Sequence, residues 1–451
     1  MKDAEVITVP GDLVSSSSVR PSVSAVRQAL SWPRIGQIGF SLTDQVLAIG
    51  GMFLANIALA RVQSKQEYGV FALSYSVYTF LTGLHNGLIL EPYSIYGSGR
   101  YHEHFSAYSR VMSRSNAFLG GGLTAVLLSV WLVLRWWEPS LASKSLLGLA
   151  ISAAVLLTAL FVRRTFYLQR RPDLAAKFST TFFLSLVVLL VLATRFGLLS
   201  GFSTFAIAAV SWIAAAAIFA KRLPGFGRSE AFYEAAPDRW SEHWDYARWV
   251  LATAFIFQLT YQGYYWLLAA FISLREVAEL RAMQLLVGPV DQICVALDLL
   301  VLPVMAFRYA SKKHSDLVSL WKAFGFLNLT ITGIYALAIW RIGRQVMHLV
   351  YAGKFDDISA LLSILALLPV IMGIGNSANV ALKSMERPDL VFRSYVASGA
   401  ATLLAGLPLV RHFGLRGAVY GLLLSSGTYT VVMGVSLLLS VRAGLEPGMG
   451  A

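Results

Sequence analysis

Charge is scarce in this chain of 451 residues. Asp, Glu, Lys and Arg together make up 14% of it, against roughly 25% in soluble domains. A large core cannot account for that shortfall, because a soluble domain must still solvate its surface. A surface facing lipid is the simpler reading, and it removes the reason to divide the length into soluble domains of about 150 residues.

Other absences narrow the field further. The single cysteine, Cys294, sits in an apolar run, excludes an internal disulfide and reads as packing. No Gly-x-x-x-x-Gly-Lys-Ser/Thr loop occurs, so nothing suggests ATP hydrolysis by a P-loop. No long external segment supplies the paired carboxylates that a glycan-processing enzyme needs, and this argues against an enzyme. His102 and His104 have no further ligands clustered with them, so neither a metal nor a cofactor is expected. Residues 1–33 hold Asp3, Glu5, Asp12 and the Ser15–Ser18 run but no apolar signal core. They read as a disordered cytoplasmic tail.

What is present is apolar and periodic. Hydrophobic residues reach 57%, and a span of hydrocarbon about 30 Å thick needs about 20 of them. Twelve such stretches centre near residues 48, 80, 126, 154, 185, 208, 258, 296, 330, 366, 400 and 428. The net charge of +13 comes from Lys and Arg placed in the short loops between them. That placement suits anionic lipid headgroups rather than nucleic acid, which needs a basic face on a soluble domain. With the N-terminus inside, 25 of the 37 basic residues fall in the cytoplasmic set of loops. The bias places both termini in the cytoplasm and the chain in the inner membrane.

An internal repeat divides the chain. Arg-Pro-Asp-Leu occurs at 171–174 and again at 387–390, and Phe-Gly-Leu at 196–198 and again at 413–415. The first motif follows the fourth span of each half and the second precedes the sixth. The expected fold is therefore all-α and polytopic, about 12 transmembrane helices as two parallel six-helix repeats around a central cavity. Its parts are an N-terminal half (34–222), a cytoplasmic linker (223–245), a C-terminal half (246–442) and a cytoplasmic tail (443–451).

Polar residues at membrane depth concentrate on the leading pair of spans in each half. The first span carries Gln37, Ser41, Asp44 and Gln45, spaced as one helical face, and the second carries Ser74, Tyr78, Thr82 and His85. The seventh carries Gln258, Tyr261, Gln262 and Tyr265, and the eighth carries Gln284, Asp291 and Asp298. Most such Gln, Ser and Tyr side chains do no more than join helices. A buried carboxylate costs about 2.5–3.5 kcal/mol on insertion scales, so Asp44, Asp291 and Asp298 are the stronger candidates for cavity or coupling roles. Arg34, Arg61, Arg281 and Arg308 lie near span ends where they could meet an anionic headgroup, although each taken singly reads as snorkelling.

Several local stretches carry a family likeness. Ala60-Arg61 followed by Gln66-Glu67-Tyr68-Gly69-Val70-Phe71-Ala72-Leu73 resembles the start of the second helix in polysaccharide exporters of the multidrug/oligosaccharidyl-lipid/polysaccharide superfamily. His348-Leu349-Val350-Tyr351-Ala352-Gly353-Lys354-Phe355 resembles their loop between helices 9 and 10. The Arg-Pro-Asp-Leu segments and the run from Phe413 to Gly421 resemble their later helices. The resemblance implies a flippase for a polyprenyl-pyrophosphate-linked oligosaccharide, working by alternating access for cell-surface polysaccharide assembly. It also implies membrane lipids, a polysaccharide polymerase and glycosyltransferases as partners. The deepest charges here are acidic, whereas such exporters tend to have basic cavities. A proton- or sodium-coupled antiporter of the same fold therefore stays open, as does, further behind, a membrane enzyme of polysaccharide assembly.

Overall fold

A computed structural model describes residues 32–98, 101, 103–137, 144–222, 239–310 and 314–445. Most of the expected N-terminal tail, most of the 223–245 linker, the end of the C-terminal tail and His102 lie outside the described residues. Twelve helical spans run through the rest, and no strand occurs among them. They are α1 (Trp32–Val62), α2 (65–98), α3 (Phe105–Trp137), α4 (Lys144–Leu168), α5 (Pro172–Arg195) and α6 (Gly201–Ile218). A second set follows as α7 (Arg239–Phe271), α8 (274–310), α9 (His314–Tyr351), α10 (359–384), α11 (388–413) and α12 (415–445). All twelve expected centres fall inside a helix.

Nine helical stretches among the described residues are long and apolar enough to cross a membrane, one of them running through both α11 and α12. The chain is a multi-pass membrane protein. Neither α2 nor α7 is among the nine, because the polar stripes that mark them lower their mean hydropathy.

The repeated motifs recur as repeated backbone. Before each Arg-Pro-Asp, the preceding helix ends on a non-glycine residue with positive φ, Arg170 (57°) and Glu386 (58°). The proline then opens the next helix, where its missing N–H has no helical partner to lose. Arg171 Nε donates to Asp173 at 2.9 Å, and Arg387 Nε to Asp389 at 3.1 Å. Each Phe-Gly-Leu turns on a glycine with positive φ, Gly197 (67°) and Gly414 (55°). A third echo lies at the start of the second helix in each half. Ser64 accepts from Glu67 N, and Ser273 from Glu276 N, the same Ser-x-x-Glu start signal.

The main apolar core runs through both halves. Phe178, Phe182 and Trp212 stack between α5 and α6 with Phe182 and Trp212 ring centroids 3.8 Å apart. Gly51 lets α1 ride over Phe182, since a Cβ there would come within 2.8 Å of the ring. Between the halves, α2 packs on α7 and on the first part of α8. Here the tightest approach is Gly69, where a Cβ would overlap the carbonyl of Leu274. The other seam is different. The second part of α8 (Pro289–Ala310) packs on α9 and α10, while α1 packs on α5 and touches the other half through α9. Gln37, Gln45, Asp291 and Gln292 are all exposed on these helices. The halves thus meet closely along α2, whereas α1 and the second part of α8 have little direct contact.

Because backbone rather than a flexible side chain occupies the space beside Gly69, Gly69→Val is expected to destabilise the protein by at least about 1–3 kcal/mol. A lowered thermal midpoint in detergent, read by loss of the monodisperse chromatographic peak, checks this.

Candidate substrate cavity

Asp44 is fully buried, but inside the N-terminal half. Arg163 on α4 grips it with Nε at 3.0 Å and Nη2 at 2.7 Å, Tyr167 Oη donates at 2.7 Å, and Ser179 Oγ on α5 donates as well. Arg163 and Tyr167 share a helical face by their spacing of four. Arg163, counted with a cytoplasmic loop from the sequence, is in fact within α4, which continues to Leu168. Four donors on one carboxylate tie α1, α4 and α5 together.

The four polar positions of α1 do not act as one face. Ser41 donates to Gln37 O at 3.0 Å, while Gln37 and Gln45 are exposed. Successive helical residues differ by 100°, so Gln45 lies off the buried face that carries Asp44. Tyr78 is half-buried in the N-terminal half against Tyr75 and Phe205. His85 is buried with Nε2 at 2.7 Å from Asn116 Oδ1, and Asn116 reaches Thr158 at 3.0 Å.

The C-terminal half divides its polar residues between interior and seam. Gln258 donates across the halves to Thr79 O at 2.9 Å. Tyr265 donates to Gln284, linking α7 to α8, and Gln262 is half-buried. Asp298 accepts from Asn376 Nδ2 on α10 at 2.6 Å, and its second oxygen has no partner. Asp291 is exposed just past the Gly288-Pro289 break. No hydrogen bond or ion pair to its carboxylate occurs among the described residues.

The basic candidates separate clearly. Arg308 pairs with Asp316 at 3.0 Å. Arg61 donates to Val350 O at 2.6 Å and to Leu349 O, and the Arg34 side chain lies outside what the structure describes. Arg281 stands apart. It lies about 10 Å inside the end of α8 by helical rise, where α8 meets α1 and α2. Its Nε donates to Asn56 Oδ1 on α1 at 3.1 Å, and its guanidinium lies 4.1 Å from the ring centroid of Tyr75 on α2. Tyr68 and Tyr265 complete the surround. No described carboxylate is within ion-pair distance of it, and the buried Tyr68 hydroxyl beside it has no hydrogen-bond partner. A cation held only by an amide oxygen and tyrosines, and a buried hydroxyl, therefore share one site with no anion to match the charge.

Asn56, Tyr68, Tyr75 and Arg163 were not singled out from the sequence. A signal existed for two of them. Asn56 interrupts an apolar run, and Arg163 follows one of eighteen apolar or small residues, so each calls for a partner.

Comparison with solved structures identifies the architecture. Over 90% of this chain and 96% of the other, it matches the inward-facing conformation of a multidrug resistance MATE family transporter of the MOP superfamily, with TM-score 0.74 at 12% identity. The outward-facing conformation of such a transporter gives TM-score 0.66 at 12% identity over 91% and 96%. A MOP superfamily transporter from Pyrococcus furiosus, described as having a binding pocket of reverse polarity that suggests a different function, gives 0.63 at 14% over 91% and 96%. No family profile matches the sequence, and no curated protein does. The fold is that of MOP superfamily transporters, about twelve helices in two halves.

Removing one partner of a buried ion pair strands the other at a cost of about 3–5 kcal/mol, whereas replacing both by apolar residues is often near neutral. Asp44→Asn is therefore expected to lower the thermal midpoint sharply, and Asp44→Leu with Arg163→Met to recover most of it.

Proposed function

We propose that the chain is a transporter that moves an amphipathic substrate with an anionic head across the bilayer by alternating access, a polyprenyl-pyrophosphate-linked oligosaccharide being the leading case. The observation that carries this reading is Arg281. A guanidinium inside a membrane bundle is retained at a cost. It has an obvious use if a pyrophosphate supplies the missing charge, since its planar fork suits that geometry. Tyr68 beside it offers an additional donor, and Tyr75 lies against the guanidinium. The neighbouring seam suits a lipid-linked cargo, because α1 and the second part of α8 have little direct contact and could part there. A polar head can enter there while its hydrocarbon tail stays in the membrane. The resemblance of the 60–73 and 348–355 segments to polysaccharide exporters points the same way. On this reading Asp44 is a fixed structural anion, already neutralised by Arg163, and no longer argues against an anionic substrate. The proposed setting is the inner membrane with both termini cytoplasmic, and the partners are the glycosyltransferases and polymerase of the same assembly.

A second reading is favoured by one observation. Asp291 is an exposed carboxylate at depth with no side-chain partner, and such a group can take up and release a cation or proton. It suits a proton- or sodium-coupled antiporter for drugs or metabolites, and two of the structural matches are described as multidrug resistance transporters.

Deleting the gene is expected to leave lipid-linked glycan undelivered on the cytoplasmic leaflet. Re-expressed Arg281→Gln should restore delivery poorly, with an apparent affinity about 10–100-fold weaker, as loss of a charged hydrogen bond of about 1.5–3 kcal/mol implies. Normal surface glycan combined with lost drug resistance, abolished again by Asp291→Asn, would replace this reading by the second.

A further inference from the structure

At the end of the bundle away from Trp32, charge joins the two halves. Lys65, the first residue of α2, places Nζ 2.9 Å from Glu279 Oε1 on α8 and 2.8 Å from Asp357 Oδ2 beyond α9. Arg275 braces the same two carboxylates from within the C-terminal half, at 3.1 and 3.3 Å. Lys65 is thus the cation of the N-terminal half in the cluster, and it bridges two acids of the other. Its ammonium also lies 5.1 Å from the ring centroid of Phe355, which packs edge-on against Tyr68.

Beside this cluster the halves exchange helix caps. The last carbonyls of a helix have no intrahelical donor and carry the negative end of its dipole. Lys354, in the turn after α9, donates to Ala60 O and Arg61 O at 2.8 Å and to Gln63 O, at the end of α1. Arg61 in return donates to Val350 O and Leu349 O at the end of α9. Each half therefore caps a helix of the other. The turn that presents Lys354 is held in shape by His348 Nδ1 at 2.7 Å from Asp356, with Ala352 at φ 52° and Gly353 at φ 80°.

We propose that Lys65, Glu279, Asp357 and the paired caps of Arg61 and Lys354 form a latch that shuts this end of the pathway, and that the halves exchange conformations only when it breaks. The contacts must be lost together. Separating the halves here removes Lys65 from both acids and exposes two sets of helix-terminal carbonyls at once, so the closed end resists partial opening. Glu279, whose side chain is only 7% exposed, would then rely on Arg275 alone. The Lys and Arg distribution places this end on the non-cytoplasmic side. The latch rests on the transport reading for its consequence, but its closure can be measured without any substrate.

The test uses the full chain with Cys294→Ser and a reporter at the seam, Gln45→Cys, labelled by a membrane-impermeant maleimide. Labelling from the non-cytoplasmic side is expected to be slow in the otherwise wild-type chain. It should become about tenfold faster in Lys65→Ala, an order-of-magnitude expectation for shifting a two-state equilibrium by one lost charge cluster. Lys65→Arg should keep the slow rate. A disulfide between Lys65→Cys and Glu279→Cys, made without the reporter, should abolish transport until it is reduced. Unchanged labelling in Lys65→Ala protein that keeps its thermal midpoint, or transport that continues through the cross-link, overturns the latch. A reporter that labels from neither side overturns the pathway itself, and with it the transport reading.

Discussion

Charge within hydrocarbon has to be matched, and this constraint orders the structure. A carboxylate or guanidinium at membrane depth is tolerated when a partner, a dipole or water stands beside it. Asp44 meets the requirement completely through Arg163, Tyr167 and Ser179, and it knits three helices of one half into a unit. Asp298 meets it in part through Asn376. Arg281 has an amide and tyrosines but no anion. The satisfied residues brace helices within their own half, whereas Arg281 and Asp291 have no counter-charge among the described residues, and Arg281 lies where the halves meet.

The two seams between the halves have different chemistry for the same reason. Along α2 the contact is close enough to demand Gly69, and at one end it finishes in ion pairs and exchanged helix caps. Between α1 and the second part of α8 there is little packing, and Gln37, Gln45, Asp291 and Gln292 are exposed on these helices alongside apolar side chains such as Leu42 and Ile293. The short segment Leu274–Val287 connects the two regions, since Glu279 belongs to the closure and Arg281, two residues on, to the unmatched site. Its limits are marked in the sequence by Ser273 as cap and by Gly288-Pro289 as break.

Much of this was legible in the chain. Twelve apolar runs, the loop charges and the twin Arg-Pro-Asp-Leu and Phe-Gly-Leu motifs specify the helix count and the repeat, because each depends on local chemistry. The left-handed turns at Arg170 and Glu386 show that the repeat is one of backbone as well as letters. What periodicity could not decide was which neighbour a polar face meets. Ser41, Asp44 and Gln45 look alike on a helical wheel, yet Asp44 turns into its own half and Gln45 is exposed. Arg61 looked like a headgroup contact and instead caps α9. Partners such as Arg163 for Asp44 lie 119 residues away, and no local pattern carries that information.

Arg281 is the hinge of the account, and equilibrium binding to the purified protein examines it without reference to transport. Inorganic pyrophosphate and a short-chain prenyl pyrophosphate would be titrated into the wild-type chain and into Arg281→Gln, with intrinsic tryptophan fluorescence as the readout. The account predicts saturable binding of both anions to the wild type, tighter for the prenylated one, and its loss in the variant. Equal binding by the two proteins, or none by either, would contradict it.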